Sequence, residues 1–204
     1  MFVGLVIILT TFFLPWYGTS VVADDHEMNA NLFLDHSEMT FLGQTISQSN
    51  EDVDYLNNTF YLTIIIFIIV IFSLVSLICY FRGFGNKNLM LKISLVFGIS
   101  TFILLIVTAY YFMVETVNQI QDSKSAYFSI SGSQDTLQDI GFWWNTNLNG
   151  AKLSAGPGYS WYLVIAVAVI FLIALIMLFV KQKQPIVLSS NMQQQSPPLN
   201  PPAQ

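Results

Sequence analysis

The chain has 204 residues, of which 54% are hydrophobic and only 9% are charged, and its formal net charge is −5. Soluble domains carry about 25% charged residues, so this composition excludes an ordinary water-soluble protein. Seven Lys and Arg residues are too few for nucleic-acid binding, and a single cysteine, Cys79, excludes an intramolecular disulfide.

Four apolar runs have the character of transmembrane helices, which need roughly 20 residues to cross a hydrocarbon core about 30 Å thick. They occupy about residues 2–17, 60–81, 89–114 and 159–180. Since lipid offers no hydrogen bonds, each backbone must satisfy itself as a helix. The first run also resembles a cleavable signal peptide, because Val-Val-Ala precedes Asp24. The missing basic n-region favours a retained helix.

The remaining segments, residues 18–59 and 115–158, are roughly forty residues each, too long to be bare connections. Residues 30–34 and 39–43, with a turn between them, and residues 127–130 have the composition of short strands. We therefore predict an all-α membrane protein, a four-transmembrane-helix bundle, and expect these loops to form a small extracellular β-sheet that lies on it.

Charge predicts the orientation. Five of the seven basic residues follow the second or the fourth run, namely Arg82, Lys87, Lys92, Lys181 and Lys183. The positive-inside rule assigns these segments to the cytoplasm, so both termini are predicted to be cytoplasmic and loops 18–59 and 115–158 extracellular or luminal. All twelve carboxylates lie in those two segments. Residues 1–184 would form the membrane domain and residues 185–204, rich in Gln, Pro and Ser, a disordered cytoplasmic tail.

Both histidines lie in the first loop, in a near-repeat that places Met28 beside His26 and Met39 beside His36. Imidazole and thioether groups bind Zn²⁺ or copper, so these four residues are candidate metal ligands. A solvated acidic loop is the simpler interpretation of the same residues.

Three further groups of residues point to structure or modification rather than to chemistry. Small residues let helices approach closely in lipid, and the predicted contact residues are Ser94, Gly98 and Thr101. Aromatic residues with a polar tip favour the membrane interface, and those predicted to lie there are Trp16, Tyr17, Trp161 and Tyr162. Asn57 begins an acceptor sequon for N-glycosylation.

Motifs for catalysis are missing from the sequence. There is no phosphate-binding loop, zinc-protease motif or nucleophile elbow. The apolar runs carry no ionisable residue at their centres, which argues against a transporter. We therefore expect neither an enzyme nor a cofactor.

The layout resembles the claudin-like tetraspan superfamily. The resemblance rests on the end of the first run at residues 14–17 (LPWY), a long first loop with strand-like stretches, a short basic inner turn, and residues 156–162 (GPGYSWY) at the start of the fourth run. It is one of architecture and extends to about Val180. The family's paired cysteines in the first outer loop have no counterpart here.

These observations predict a non-enzymatic membrane scaffold or interaction protein that presents acidic extracellular loops to a partner. Its expected partners are membrane lipid and other membrane proteins or further copies of itself. Two alternatives stay open: an accessory subunit of a larger membrane enzyme or respiratory complex, and a channel-forming oligomer.

Overall fold

A computed structural model describes residues 2–23, 26–50, 53–131, 141–148 and 151–183. These residues form four helices and six strands, and the strands make one antiparallel sheet. The prediction of an all-α four-transmembrane-helix bundle is therefore wrong. The first outer segment is largely strand, the second contributes two more strands after the end of α3, and only three helices in the described part of the chain are long and apolar enough to cross a membrane. The predicted tail, residues 185–204, lies outside the described residues.

The four helices are α1 (Phe2–Thr10), α2 (Asp54–Arg82), α3 (Lys87–Ser131) and α4 (Tyr159–Lys183). The three candidate membrane spans are all of α2, the Lys87–Asp122 part of α3 and the Tyr159–Val180 part of α4. Residues 127–130, whose composition favoured a strand, belong to α3, which continues well past the predicted end at residue 114.

Helix α1 has only nine residues, which at 1.5 Å per residue cover less than half of a bilayer core. The hydroxyls of Thr10 and Thr11 donate to the carbonyls of Ile7 and Ile8, each at 2.7 Å, in side-chain bonding that tends to bend helices. Pro15 then disfavours a helical conformation at the residue before it. The predicted span over residues 2–17 therefore ends early.

The helices pack in a ring, with α1 and α3 each lying against α2 and α4. Gly4 lets α1 approach α4, because a Cβ atom there would lie 2.8 Å from the Phe171 ring. Between α2 and α3, the Ser73 hydroxyl donates to the Ser94 carbonyl at 3.2 Å, and the Ser94 hydroxyl donates to the Ser73 carbonyl at 3.3 Å. Both serines are fully buried.

The strands are β1 (Tyr17–Ala23), β2 (His26–Leu32), β3 (His36–Phe41), β4 (Gln44–Ser49), β5 (Trp144–Leu148) and β6 (Ala151–Pro157). Their order in the sheet is β4-β3-β2-β1-β6-β5. Strand β1 pairs with β2 on one side and with β6 on the other. The two segments predicted to be separate outer loops therefore share a single sheet.

The tightest connection in the sheet is the β3–β4 turn. Phe41 pairs with Gln44, and the two residues between them, Leu42 and Gly43, have φ angles of 50° and 76°. Positive φ at both central residues defines a type I′ turn, which matches the twist of the flanking strands. Glycine adopts this conformation freely, whereas a leucine rarely does.

We predict that Gly98→Leu destabilises the packing of α3. Gly98 is buried one turn from the fully buried Ser94 and close to the fully buried Thr101, so a branched side chain would force the helices apart at a cost of roughly 1–3 kcal/mol. The measurement is the thermal unfolding midpoint in detergent, with Val96→Leu as the control because Val96 is 59% exposed. Equal midpoints for the two variants would contradict the prediction.

Candidate functional site: the sheet faces and their junction with the helices

Backbone hydrogen bonds fasten the sheet to the helices at the segment that leads from α1 into β1. The Trp16 N–H donates to the Leu32 carbonyl at 2.7 Å, which joins this segment to β2. The Gly158 N–H donates to the Trp16 carbonyl at 2.8 Å, which joins it to the start of α4. The Trp16 indole N–H donates to the Thr11 carbonyl at 3.0 Å. Trp16 therefore fixes the relative positions of α1, β2 and α4.

An aromatic cluster fills the junction. Ring centroids lie 5.0 Å apart for Trp16 and Phe112, and 5.4 Å apart for both Tyr17–Phe142 and Phe142–Trp161. Residues from α3, α4, β1 and the segment before β5 meet here. The contacts have the centroid spacing of favourable aromatic pairs, which add about 0.5–1.5 kcal/mol each beyond area burial.

The four aromatics predicted for the membrane interface have different environments. Trp16 and Tyr17 are buried inside the protein, at 0% and 5% exposure. Trp161 is half-buried and its indole N–H donates to the Ala109 carbonyl at 3.1 Å. Tyr162 is half-exposed, and its hydroxyl accepts a hydrogen bond from the Trp143 indole at 3.2 Å. Only this last residue has the exposure that an interfacial side chain needs.

Three polar atoms at the junction are buried without a hydrogen-bond partner in the described part of the chain: the Tyr17 hydroxyl, the Trp144 indole nitrogen and the Thr116 hydroxyl. Burial raises the pKa of the Tyr17 phenol to about 12. The nearby Trp144 indole N–H, although it makes no hydrogen bond to the phenol, lowers this pKa, and the Tyr55 phenol raises it further. Each unsatisfied buried group costs about 1–3 kcal/mol, so the junction holds the least satisfied part of the described core.

The register of the strands gives the sheet an apolar face and a polar face, because residues directly opposite on neighbouring strands point to the same side. The apolar face is the one that carries Tyr17. One row across it is Ile46, Met39, Ala30, Thr19, Ala155 and Trp144, and another is Phe41, Met28, Val21 and Leu153.

A continuous polar row crosses the opposite face through all six strands. Its members are Thr45, Thr40, Asn29, Ser20, Ser154 and Asn145. The Thr40 and Thr45 hydroxyls lie 3.0 Å apart, and the Asn29 amide donates to Glu27 at 3.0 Å. A groove of about 590 Å³ lies between the Ser20–Ser154 part of this face and the start of α4.

The apolar face is exposed at its β3–β4 end. We call Met39, Phe41, Leu42 and Ile46 the apolar hairpin. Ile46 is 70% exposed and Leu42 is 62% exposed, and every residue of β4 is exposed. Strand β4 lies at the edge of the sheet, so no other strand of the described residues lies beside its outward-facing edge.

The structure does not bring the two histidines together. His26 begins β2 and His36 begins β3, beyond the Leu32–Ser37 pair, so nearly the whole of β2, roughly 20 Å at about 3.3 Å per residue, separates them. The His36 ring nitrogens lie 2.7 Å from Asp35 and 3.4 Å from Glu38. No group of three His, Cys, Asp or Glu side chains that could hold a metal occurs among the described residues.

The remaining candidate residues lie as follows. Met28 and Met39 share the apolar face, diagonally across β2 and β3. The Thr101 hydroxyl donates to the Phe97 carbonyl of its own helix at 2.9 Å. Asn57 is half-buried in the first turn of α2.

The polar row and the apolar hairpin were not recognised from the sequence, although part of the signal was present. Residues 28–32 read Met-Asn-Ala-Asn-Leu, which is the period-two alternation of a strand with one polar face. Recognising a row through six strands also requires the pairing register, which depends on β1 and β6 meeting across more than a hundred residues of sequence.

The fold and the site define a membrane-associated α+β protein in which three apolar helices carry an antiparallel sheet. Neither models of known protein families nor curated protein sequences match this chain.

We predict that Tyr17→Phe removes part of the alkaline destabilisation of the protein. The unfolded phenol ionises near pH 10, whereas the folded one keeps its proton to about pH 12. The unfolded state therefore binds fewer protons in this window, and the wild type loses up to about 3 kcal/mol as the pH rises. Unfolding midpoints from pH 9 to pH 12 measure the effect.

The two curves should diverge above pH 10, with Tyr17→Phe the more stable protein. The same substitution at the exposed Tyr159 controls for loss of a hydroxyl elsewhere. Parallel curves for wild type and Tyr17→Phe would show that the phenol is not held away from solvent.

Proposed function

We propose that this is a non-enzymatic membrane protein that associates with a second copy of itself through strand β4 and the apolar hairpin. The observation that supports this proposal is the exposure of Ile46, Leu42, Met39 and Phe41 together beside an open sheet edge. Contiguous exposed apolar groups on a polar background are typical of interaction sites.

The composition of β4 favours a strand partner. An edge strand displays unpaired backbone groups, and proteins that avoid edge-to-edge pairing protect such strands with charges, proline or bulges. The six residues of β4, Gln-Thr-Ile-Ser-Gln-Ser, include neither a charge nor a proline. All six pair with β3 in an unbroken register, so no bulge turns the edge away.

The same sequence is self-complementary. A two-fold axis through Ile46 would set Ile46 opposite its own copy and Gln44 opposite Gln48 of the second copy, with both glutamine pairs on the apolar face. An isologous contact of this kind closes as a dimer, because the same patch is used on both sides. Side-chain amides carry both donors and acceptors, so these pairs can bond reciprocally.

The conformation of Leu42 supports the same surface. A leucine at positive φ is strained, and strain of about 1–3 kcal/mol persists mainly where a function requires it. Asparagine or glycine would suit this turn better. An exposed leucine at the tip therefore favours contact with an apolar surface of a partner.

We also propose an orientation. The sheet and the basic turn between Arg82 and Lys87 lie at opposite ends of α2, whose 29 residues extend about 44 Å. The positive-inside rule favours the basic turn and the C-terminal segment in the cytoplasm and the sheet outside. A cytoplasmic N-terminus requires a first segment that crosses the membrane, and the nine residues of α1 are too few for that.

The other expectations from the sequence stay predictions. Membership of the claudin-like superfamily rests on the residues quoted for it above. An accessory subunit and a channel-forming oligomer have no observation among the described residues that favours them over self-association.

We predict that Ile46→Cys in a Cys79→Ser background gives a cross-linked dimer with a short bis-maleimide reagent in native membranes. The two-fold register places this position beside its own copy. Val22→Cys, on the polar face away from the edge, is the matched control and should stay monomeric. Dimers from Val22→Cys alone would contradict the proposed surface.

A second variant separates association from folding. Leu42→Asn combined with Ile46→Thr keeps residues suited to the turn and to a strand but removes the apolar hairpin's tip. We expect native mass spectrometry to show a shift from dimer to monomer with an unchanged unfolding midpoint. A dimer that survives this change would exclude the hairpin as the contact.

The orientation has its own test. With Cys79→Ser as background, Ser47→Cys should react with a membrane-impermeant maleimide in intact cells and Asn86→Cys should react only after permeabilisation. Ser47 lies on the exposed strand β4 and Asn86 in the exposed basic turn. The reverse pattern would place the sheet in the cytoplasm.

A further inference from the structure

The groove on the polar face is separate from the dimer surface proposed above. Its floor is formed by β2, β1 and β6, where Asn31, Gly18 and Gly156 make one row and Asn29, Ser20 and Ser154 the next. The start of α4 forms the far wall. At about 590 Å³ the groove falls within the range of small-molecule sites, roughly 300–1,000 Å³.

The depth of the groove comes from its two central glycines. Gly18 and Gly156 carry no side chains, so the sheet is depressed at these two positions. The Asn31 side chain borders the depression at one end, and the side chains of Ser20 and Ser154 border it along one side. The space is shaped closely around them, because a Cβ atom on Gly18 would lie 3.3 Å from the Asn31 side-chain oxygen and one on Gly156 would lie 3.2 Å from Trp143.

The chemistry of the groove is neutral and rich in hydrogen-bonding groups. Every described residue that lines it is uncharged, and the charged residues of this face, Glu27, Glu38 and Lys152, lie outside the lining. A phosphate, carboxylate or ammonium group would therefore meet no counter-charge within the described lining. Ser20, Ser154 and Asn31 offer hydroxyls and an amide, each of which can both donate and accept. These three side chains make no hydrogen bond with another described residue, whereas Asn29 is bound to Glu27.

The wall of the groove is aromatic. Tyr159 is 73% exposed and Tyr162 is 50% exposed, and both line the groove. The Trp143 indole holds the Tyr162 hydroxyl at 3.2 Å and packs edge-on against Trp161 at 5.5 Å. The Tyr162 ring is therefore fixed before a ligand arrives. Ring faces carry negative charge density that attracts polarised C–H groups.

We infer that this groove binds a neutral pyranose sugar. A pyranose presents hydroxyls, which both donate and accept, around its rim and a C–H surface on its face. The first would bond to Ser20, Asn31 and Ser154, and the second would lie on the tyrosines. An apolar ligand would leave the polar row unsatisfied, and a charged one would lose its hydration without compensation.

The sugar can belong to a glycolipid headgroup or to a glycan in solution. Tyr159 and Tyr162 lie in the first turn of the candidate span of α4, so the groove opens beside the level at which lipid headgroups lie. Both sources present the same ring, and the experiment distinguishes them.

The test uses the full chain in phosphatidylcholine nanodiscs, prepared with a detergent that carries no sugar. Methyl β-galactoside and methyl β-glucoside are titrated by saturation-transfer NMR, which detects millimolar binding. In parallel, galactosylceramide is added to the nanodiscs and lipid retention is read by native mass spectrometry. The groove variant is Ser20→Val with Asn31→Leu. The matched control, Thr40→Val with Asn145→Leu, also removes one hydroxyl and one amide on the same face, outside both the groove and strand β4.

In the wild type and the control we expect saturation transfer to the ring protons of at least one glycoside, or selective retention of galactosylceramide. The groove variant should show at least a tenfold weaker signal for the same probe. Transfer to free glycoside indicates a soluble glycan, and retention of galactosylceramide alone indicates a headgroup.

If the groove variant does not fold, Tyr159→Leu against Tyr110→Leu gives the same comparison. Binding of neither probe to the wild type, or equal binding by groove and control variants, overturns the inference. The dimer cross-link at position 46 should be the same in all of these proteins.

Discussion

The structure depends on how α1 ends. A helix terminus leaves carbonyl groups without partners inside the helix, and Thr11 at this end is fully buried. Here the Ser160 hydroxyl lies 2.7 Å from the Leu14 carbonyl and 3.0 Å from the Thr11 carbonyl, and the Trp16 indole N–H also reaches Thr11. The end of α1 is therefore satisfied by the start of α4, and the two helices must meet at this level.

Gly158 makes that meeting possible. A side chain there would overlap the backbone of Pro15, so only glycine allows the two segments to come within hydrogen-bonding distance. The Gly158 N–H then bonds to Trp16 and the Ser160 N–H to Pro15. Because β6 ends just before Gly158 and β1 begins just after Trp16, this contact also sets the β1–β6 register that joins the two halves of the sheet.

The long helices could be predicted, but only a small sheet was expected, and the six-stranded sheet that joins the two outer segments could not be foreseen, for a physical reason. The runs that became α2, α3 and α4 exceed the length at which any other structure could satisfy its backbone in lipid, so local composition determines them. Strands β1 and β6 read Tyr-Gly-Thr-Ser-Val-Val-Ala and Ala-Lys-Leu-Ser-Ala-Gly-Pro. Glycine, serine and proline have low strand propensity, and the pairing of these strands across the fold overrides that preference.

The early end of α1 escaped sequence analysis for a related reason. Its partners Trp16 and Ser160 are far apart in sequence. Trp16 had been interpreted as an interfacial residue and Ser160 only as part of the start of the fourth run. The histidine near-repeat was equally misleading about proximity. Each histidine begins a strand, and antiparallel strands that run from successive turns place their first residues at opposite ends of the pair.

Locally unfavourable features are most informative where they coincide on an accessible surface. The unsatisfied Tyr17 hydroxyl is unfavourable, but it is buried, so no macromolecular partner can reach it. The β3–β4 hairpin combines three such features within residues 42–49: a leucine at positive φ, an edge strand without charge, and an isoleucine that is 70% exposed. Each is tolerable alone, and a second strand paired with β4 would satisfy the open edge and cover part of Ile46 by the same event. The polar face would stay open in such a pair, since β4 pairing extends the sheet sideways and covers neither the polar row nor the groove beside α4.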